Sequence, residues 1–271
     1  RAVVRTSVYN GIEVLGFYQG YQGLIEGDVK NLDERSVAKI LGRGGTILKS
    51  ARCDEFRSKE GRVKAHSVLK DHGIDALVVI GGNGTFAGAM KLGEEFNYPV
   101  IGIPGTIDND LAGTDFTIGY DTALNTVVEA VDKIRDTADS HNRLFFVEVM
   151  GRDSGFIALN AGIATGAVAV MSPETQSSAE DLISVLETGH QRNKSSSIVI
   201  VAEGSENGGA YEIASRVNEL NNKYDIRIMD VPWGECPRNA LNKNNASDNV
   251  LDGTALSEEA VIVTRGCDSE P

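Results

Sequence analysis

The chain of 271 residues is short of cysteine, aromatic side chains and positive charge. Its three cysteines, Cys53, Cys236 and Cys267, are odd in number and form no CxxC pair. That excludes a disulfide framework and a zinc ribbon, and predicts a reducing, cytoplasmic setting. A formal charge of −13 excludes nucleic acid or an anionic membrane surface as the main partner. No run of 18 apolar residues exists to serve as a transmembrane helix. No Ser-His-Asp order, Cys-His pair or zinc-ligand spacing stands out, and no signal-peptide pattern opens the chain. The opening RAVVRTSVYNGIEVLGF reads as the middle of an element, which predicts further residues before Arg1.

What the chain has in quantity is glycine, 30 residues, gathered at the ends of apolar runs. Short β-branched runs alternate with helical stretches. DALVVI (75–80), YPVIGI (98–103), RLFFVEVM (143–150), VAVM and SSSIVIVA read as strands. The stretch 122–140 is an amphipathic helix with Leu124, Val127, Val128, Val131 and Ile134 on one face. The stretch SAEDLISVLETGHQ is a second helix, capped at or near Ser178. This rhythm predicts α/β architecture with parallel sheets covered on both faces. Ligands of such sheets bind at the carboxyl ends of the strands. Five polar turns fall there: GGNGT, PGTIDND, MGRDSG, SPET and AEGS. From about residue 229 the pattern dissolves apart from EEAVIVT, and the tail to 271 is expected to be poorly packed.

Each polar turn admits two readings. In VVIGGNGTFAGAMKL, a glycine-rich turn before a helix offers backbone N–H groups to an anion. It serves equally as a tight strand-to-helix turn. The dinucleotide fingerprint is only loosely met, and the next strand ends in Ile103-Pro104-Gly105 where an acidic ribose ligand is wanted, which argues against NAD. In PGTIDND, Asp108 and Asp110 alternate, so an extended segment turns both to one side. One carboxylate then accepts a proton while the other orients a cation or substrate. The bland counterpart is an Asx-rich turn. Arg143 and Arg152 flank the strand RLFFVEVM; they are phosphate forks or surface ion pairs. Met150 packs on a substrate or on the core, and Glu203 meets a sugar hydroxyl or simply ends its strand. Anion-holding glycines, paired aspartates, a threonine and two arginines at one sheet edge are the components of phosphoryl transfer from a nucleotide to an alcohol, with Mg²⁺ neutralising charge.

The stretches VVIGGNGTFAGA, IGIPGTIDNDLAGTDFTIGYDTALNTVVEAVDKIRDTADSHNR and VEVMGRDSGFIALNAGIATGA resemble bacterial-type 6-phosphofructokinase, over about residues 1 to 228. The resemblance implies two doubly wound α/β domains with the active site in the cleft between them: 1–120 for ATP, 121–228 for fructose 6-phosphate, and 229–271 a divergent tail. It implies a cytoplasmic, allosteric glycolytic enzyme, a homotetramer with active sites shared between subunits. Asp108 is then the base, Asp110 its companion, Thr106 a contact of the moving phosphoryl group and Arg152 its charge stabiliser. Arg143, Met150, Gly151 and Glu203 are then the sugar-site residues, Arg143 reaching a neighbouring subunit. Arg52, Gly82, Asn83, Gly84, Thr85 and Gly105 are then the ATP-site residues, with Arg1 and Arg5 at effector-phosphate positions. Pyrophosphate-using relatives carry Asp and Lys at the places of Gly84 and Gly105, so two glycines imply room for ATP.

This chain departs from the family pattern in places. Asn83 replaces a family Asp that helps to hold Mg²⁺. Glu34 and Val168 replace residues of the regulated enzymes. DVPWGECPRNAL stands where a His-x-Gln-Arg-Gly-Gly stretch is expected, which predicts a truncated or frame-disturbed tail. The alternatives are a pyrophosphate-dependent relative, or an impaired fragment or paralogue that only binds nucleotide or oligomerises.

Overall fold

A computed structural model describes residues 1–175, 177–192, 197–205 and 207–231, and the backbone of 260–265. The chain divides into two compact units, Arg1–Thr106 with Thr254–Pro271, and Ile107–Gly253. Residues 107–120, which carry both aspartates of PGTIDND, cluster with the second unit.

The first unit opens with helix α1 (Ala2–Tyr9), strand β1 (Glu13–Phe17), helix α2 (Tyr21–Glu26) and strand β2 (Val29–Asn31). Helix α3 (Lys59–Asp71), strand β3 (Ala76–Gly81), helix α4 (Asn83–Phe96) and strand β4 (Val100–Pro104) follow. The last strand, β9 (Ala260–Arg265), enters this sheet from the tail, giving the order β2-β1-β9-β3-β4. Only β3 and β4 pair in parallel; β9 runs antiparallel to both β1 and β3. The sheet is therefore mixed, because a returning strand occupies its middle. Leu24, Leu69, Leu77, Val79 and Leu92 fill the core between sheet and helices.

The second unit begins with the PGTIDND loop and helix α5 (Tyr120–His141). Then come β5 (Arg143–Val149), α6 (Phe156–Thr165), β6 (Ala169–Met171), α7 (Ala179–Gln191), β7 (Ser197–Ala202), α8 (Ala210–Leu220) and β8 (Asp225–Val231). The sheet order is β6-β7-β5-β8, and all its pairs are parallel. Both faces of β5 and β7 are covered, which is why RLFFVEV and SIVIVA read as continuous apolar runs. On α5 the buried stripe is Ala123, Val127, Val131, Ile134 and Ala138; Leu124 and Val128 lie at its margin. Ser178 caps α7 in a reciprocal capping box with Asp181, satisfying two helix-end donors.

The class is α/β, as the strand and helix rhythm predicts. Of the tail, β8 runs on to Val231 and β9 forms; residues 232–259 and 266–271, with DVPWGECPRNAL, lie outside the described residues. Among the described residues no helix is long and apolar enough to cross a membrane.

Candidate active site

In the first unit, the parallel register of β3 with β4 sets Gly81 beside Pro104, and Gly105 N–H donates to the Gly81 carbonyl at 3.0 Å. GGNGT and PGT therefore meet at one strand end. Thr106 is buried, and a Cβ on Gly82 would sit 3.4 Å from its side chain. Gly82 is the N-cap of α4, so Asn83, Gly84 and Thr85 form that helix's first turn, where backbone N–H groups lack helical acceptors. Thr85 turns inward, its side chain packed over Gly81, and its carbonyl accepts from Tyr21 Oη at 2.6 Å. Asn83 and Gly84 are exposed, and a Cβ on Gly84 would meet nothing within 4 Å. Gly105 differs from the expectation of open space. A Cβ there would lie 2.8 Å from Ile80 Cγ2, so packing against β3 demands the glycine. Arg52 is exposed on a loop anchored by Phe56, which stacks on Tyr21 with centroids 3.8 Å apart. Arg1 and Arg5, before and on α1, are exposed.

In the second unit, Asp108 and Asp110 do not share a side. Asn109 has φ 55°, a left-handed turn that breaks the alternation of an extended segment. Asp108 is thus 5% exposed, whereas Asp110 faces solvent. Asn109 holds this turn as a clasp. Its Oδ1 accepts from Thr117 N–H at 2.8 Å and Thr117 Oγ1 at 3.2 Å, and its Nδ2 donates to the Asp115 carbonyl at 3.2 Å.

Beyond the carboxyl end of β5, the MGRDSG turn interlocks with its neighbours. Arg152 has φ 50°, a strained conformation for a non-glycine residue. Glu203 holds it there: one oxygen accepts from Arg152 N–H at 2.6 Å and from Gly151 N–H at 3.2 Å. A Cβ on Gly204 would lie 1.9 Å from the Arg152 carbonyl, so only glycine permits that approach. Glu174 of SPET accepts from Gly155 N–H at 2.8 Å at the start of α6. Three of the five turns thus brace one another through carboxylates whose bracing role was invisible in the sequence. Arg152 Nε lies 3.7 Å from a carboxylate oxygen of Asp108. Met150 is half-buried beside buried Gly151.

Arg143 is not at this edge. It opens β5 at the amino end, about 20 Å from Arg152 by the rise of a strand, and bonds Asp225 at 2.9 Å. That partner, with burial opposing and Arg227 assisting, holds the Asp225 carboxyl below its usual value. Ser154, missed in the sequence, is buried and donates to the Asp108 carbonyl at 3.1 Å. The signal available for it was only its place between the arginine turn and α6.

For a divalent cation, the described residues hold no group of three His, Cys, Asp or Glu side chains placed as a ligand set. Mg²⁺ habitually keeps water and substrate phosphates and takes only one or two protein oxygens. The exposed amide of Asn83 in the first unit fits that limited demand, and so, separately, does the exposed carboxylate of Asp110 in the second.

In the first unit a glycine turn opens a helix, and in the second a buried carboxylate stands beside an arginine; each by itself is a component of phosphoryl-transfer chemistry in an α/β protein. The phosphofructokinase profile matches residues 1–232, and the chain belongs to the phosphofructokinase family. It is 55% identical over 228 residues to ATP-dependent 6-phosphofructokinase 2 of Bacteroides thetaiotaomicron, covering 84% of this chain and 70% of that protein. It is 55% identical over 208 residues to the ATP-dependent 6-phosphofructokinase of Halalkalibacterium halodurans, covering 77% of this chain and 65% of that one. The crystal structure of Pichia pastoris phosphofructokinase in the T-state superposes with a TM-score of 0.79 at 37% identity, covering 84% of this chain and 27% of that chain. A pyrophosphate-dependent phosphofructokinase from Marinobacter aquaeolei shares the fold at 23% identity, with a TM-score of 0.66 over 80% of this chain and 59% of that chain. Fold therefore does not separate the phosphoryl donors. The names of the relatives at 55% identity favour ATP.

Proposed function

We propose that the protein transfers the γ-phosphoryl group of ATP to the 1-hydroxyl of fructose 6-phosphate, giving fructose 1,6-bisphosphate and ADP. The observation that carries this reading is the buried Asp108 carboxylate beside Arg152, inside a chain of the phosphofructokinase family. As the sugar oxygen bonds to phosphorus, the bond to the ADP oxygen breaks and the hydroxyl proton passes to Asp108. Arg152 stabilises charge on the transferring group, since a guanidinium forks onto two phosphoryl oxygens. Thr106 donates to the same group, and Asp110 orients the cation or the hydroxyl. Gly82, Gly84 and the first turn of α4 receive the nucleotide phosphates through backbone N–H groups. Thr85 supports that turn from within, and Arg52 approaches the phosphates. Met150, Gly151 and Glu203 line the sugar side, with Glu203 also fixing the Arg152 turn.

A divalent cation, Mg²⁺, would be held by phosphate oxygens, water and the Asn83 or Asp110 oxygen, supplying charge neutralisation. The assignment of ATP to residues 1–120 and sugar to 121–228 belongs to the same proposal. So do a cytoplasmic location, a homotetramer in which Arg143 serves a neighbouring site, and effector binding at Arg1 and Arg5.

The test is steady-state turnover with fructose 6-phosphate and either ATP or pyrophosphate. Turnover with pyrophosphate alone would refute the choice of donor. A second reading, nucleotide binding without turnover, is favoured by Asn83 in place of the family's acidic ligand. ATP binding by calorimetry, no turnover, and activity gained on Asn83→Asp would establish it instead.

A further inference from the structure

We infer that Ser154 is a positioning residue that holds the Asp108 turn in register with the Arg152 turn. The inference rests on the phosphotransfer reading above. Ser154 is 5% exposed, and its hydroxyl donates to the Asp108 main-chain carbonyl at 3.1 Å across 46 residues of sequence. Its own N–H donates to the Gly151 carbonyl at 2.9 Å. One residue therefore bonds both turns. The Arg152 side is already rigid. Gly151 has φ 148°, and a Cβ there would lie 2.4 Å from the Ser154 carbonyl, so the turn closes only on glycine. Glu203 and Gly204 fix the Arg152 main chain as described. The Asp108 side is shaped by the Asn109 clasp, but that clasp reaches only residues 115 and 117 of its own loop. The direct Arg152–Asp108 ion pair is long, 3.7 Å, and the arginine is half-exposed. At 3.7 Å that contact lies beyond ordinary hydrogen-bond length and defines the separation less closely than a hydrogen bond does. The buried Ser154 bond is better suited to hold the proton acceptor at a constant distance from the arginine.

A misplacement of about 1 Å in a reacting group costs about 100-fold in rate. Ser154→Ala and Ser154→Cys, the latter near-isosteric but a weak donor, are each expected to lower kcat about 10- to 100-fold. KM for both substrates should stay within about threefold, because positioning acts on the chemical step rather than on uniform binding. The melting temperature of Ser154→Cys should lie close to wild type. The deciding measurement is a double-mutant cycle with Arg152→Ala. If Ser154 acts by aligning Asp108 with Arg152, its loss costs less once Arg152 is gone. Wild-type kcat in both single variants overturns the inference. So does strict additivity in the cycle, which would leave only a structural role. Absence of turnover in wild type removes the phosphotransfer reading itself, and this inference with it.

Discussion

Arg152 Nε lies 3.7 Å from a carboxylate oxygen of Asp108, whose side chain is 7% exposed against 52% for the arginine. The carboxylate is buried and the guanidinium is half-exposed, on the side from which a phosphoryl group can reach it. Asp108→Asn keeps shape and hydrogen bonding but removes the proton acceptor. It should lower kcat by about 10²- to 10⁴-fold, the usual contribution of a general base, with KM changed little. Arg152→Lys keeps charge and loses the fork, and should also lower kcat. Wild-type kcat in Asp108→Asn, in a steady-state assay, would remove Asp108 from the base role.

Gly84 and Gly105 should respond oppositely to an added methyl group. A methyl group on Gly84 meets open space within the first turn of α4, so Gly84→Ala should raise stability by about 0.5–1 kcal/mol. If nucleotide phosphate approaches there, the same change raises KM for ATP. A methyl group on Gly105 meets Ile80 Cγ2 at 2.8 Å. Gly105→Ala should therefore cost about 1–3 kcal/mol by overpacking. Thermal melts of the two variants, beside ATP titrations, test both statements. Equal melting temperatures would contradict the packing difference.

The contrast between these glycines shows where sequence reading stops. The strand and helix rhythm was legible because buried parallel strands are apolar throughout and α5 repeats at helical spacing. The turn residues were legible as a set for the same reason: they punctuate those runs. What side chains do inside a turn was not. Asp108 and Asp110 alternate in sequence, yet the left-handed Asn109 sends one inward and one outward. Glu203 looked like a sugar ligand or a strand end, and Glu174 was one letter of the SPET turn, yet each accepts from backbone N–H groups of a distant segment. The antiparallel entry of β9 depends on a sheet partner far away in the chain, which local period cannot reveal.

Glu148, half-buried on β5, accepts from Ala210 N–H at 2.7 Å at the start of α8. Burial pushes its carboxyl above the usual value; the Ala210 bond opposes this, while Asp230, Glu203 and Glu212 add to it. The native state thus binds this proton more tightly than the unfolded chain. The stabilisation is fully present below the ordinary glutamate pKa and is lost as pH rises through the raised native value. Glu148→Gln keeps an acceptor for Ala210 without a charge to bury. It should melt higher than wild type at neutral pH, with the difference shrinking as pH falls into the ordinary glutamate range. A difference independent of pH would assign the effect to something other than ionisation.

Arg62 on α3 ties the loop that carries Arg52 to the body of the first unit. It is 6% exposed and forks onto Glu95 of α4 with two bonds of 2.7 Å. Its remaining terminal nitrogen donates to the carbonyls of Phe56 at 3.0 Å and Arg57 at 2.7 Å. Arg62→Ala removes both carboxylate bonds and both loop-carbonyl bonds at once and empties a buried position, so it should lower the unfolding midpoint markedly. Glu95 is 25% exposed, so Glu95→Ala should cost less, because water reaches the abandoned guanidinium. The loop carbonyls make a second demand that Glu95→Ala leaves intact. Arg62→Ala should therefore raise KM for ATP through the loosened Arg52 loop, and Glu95→Ala should do so much less. Denaturant unfolding measures the first difference and ATP titration the second. Equal KM values in the two variants would separate the loop from nucleotide binding and leave Arg62 a purely stabilising residue.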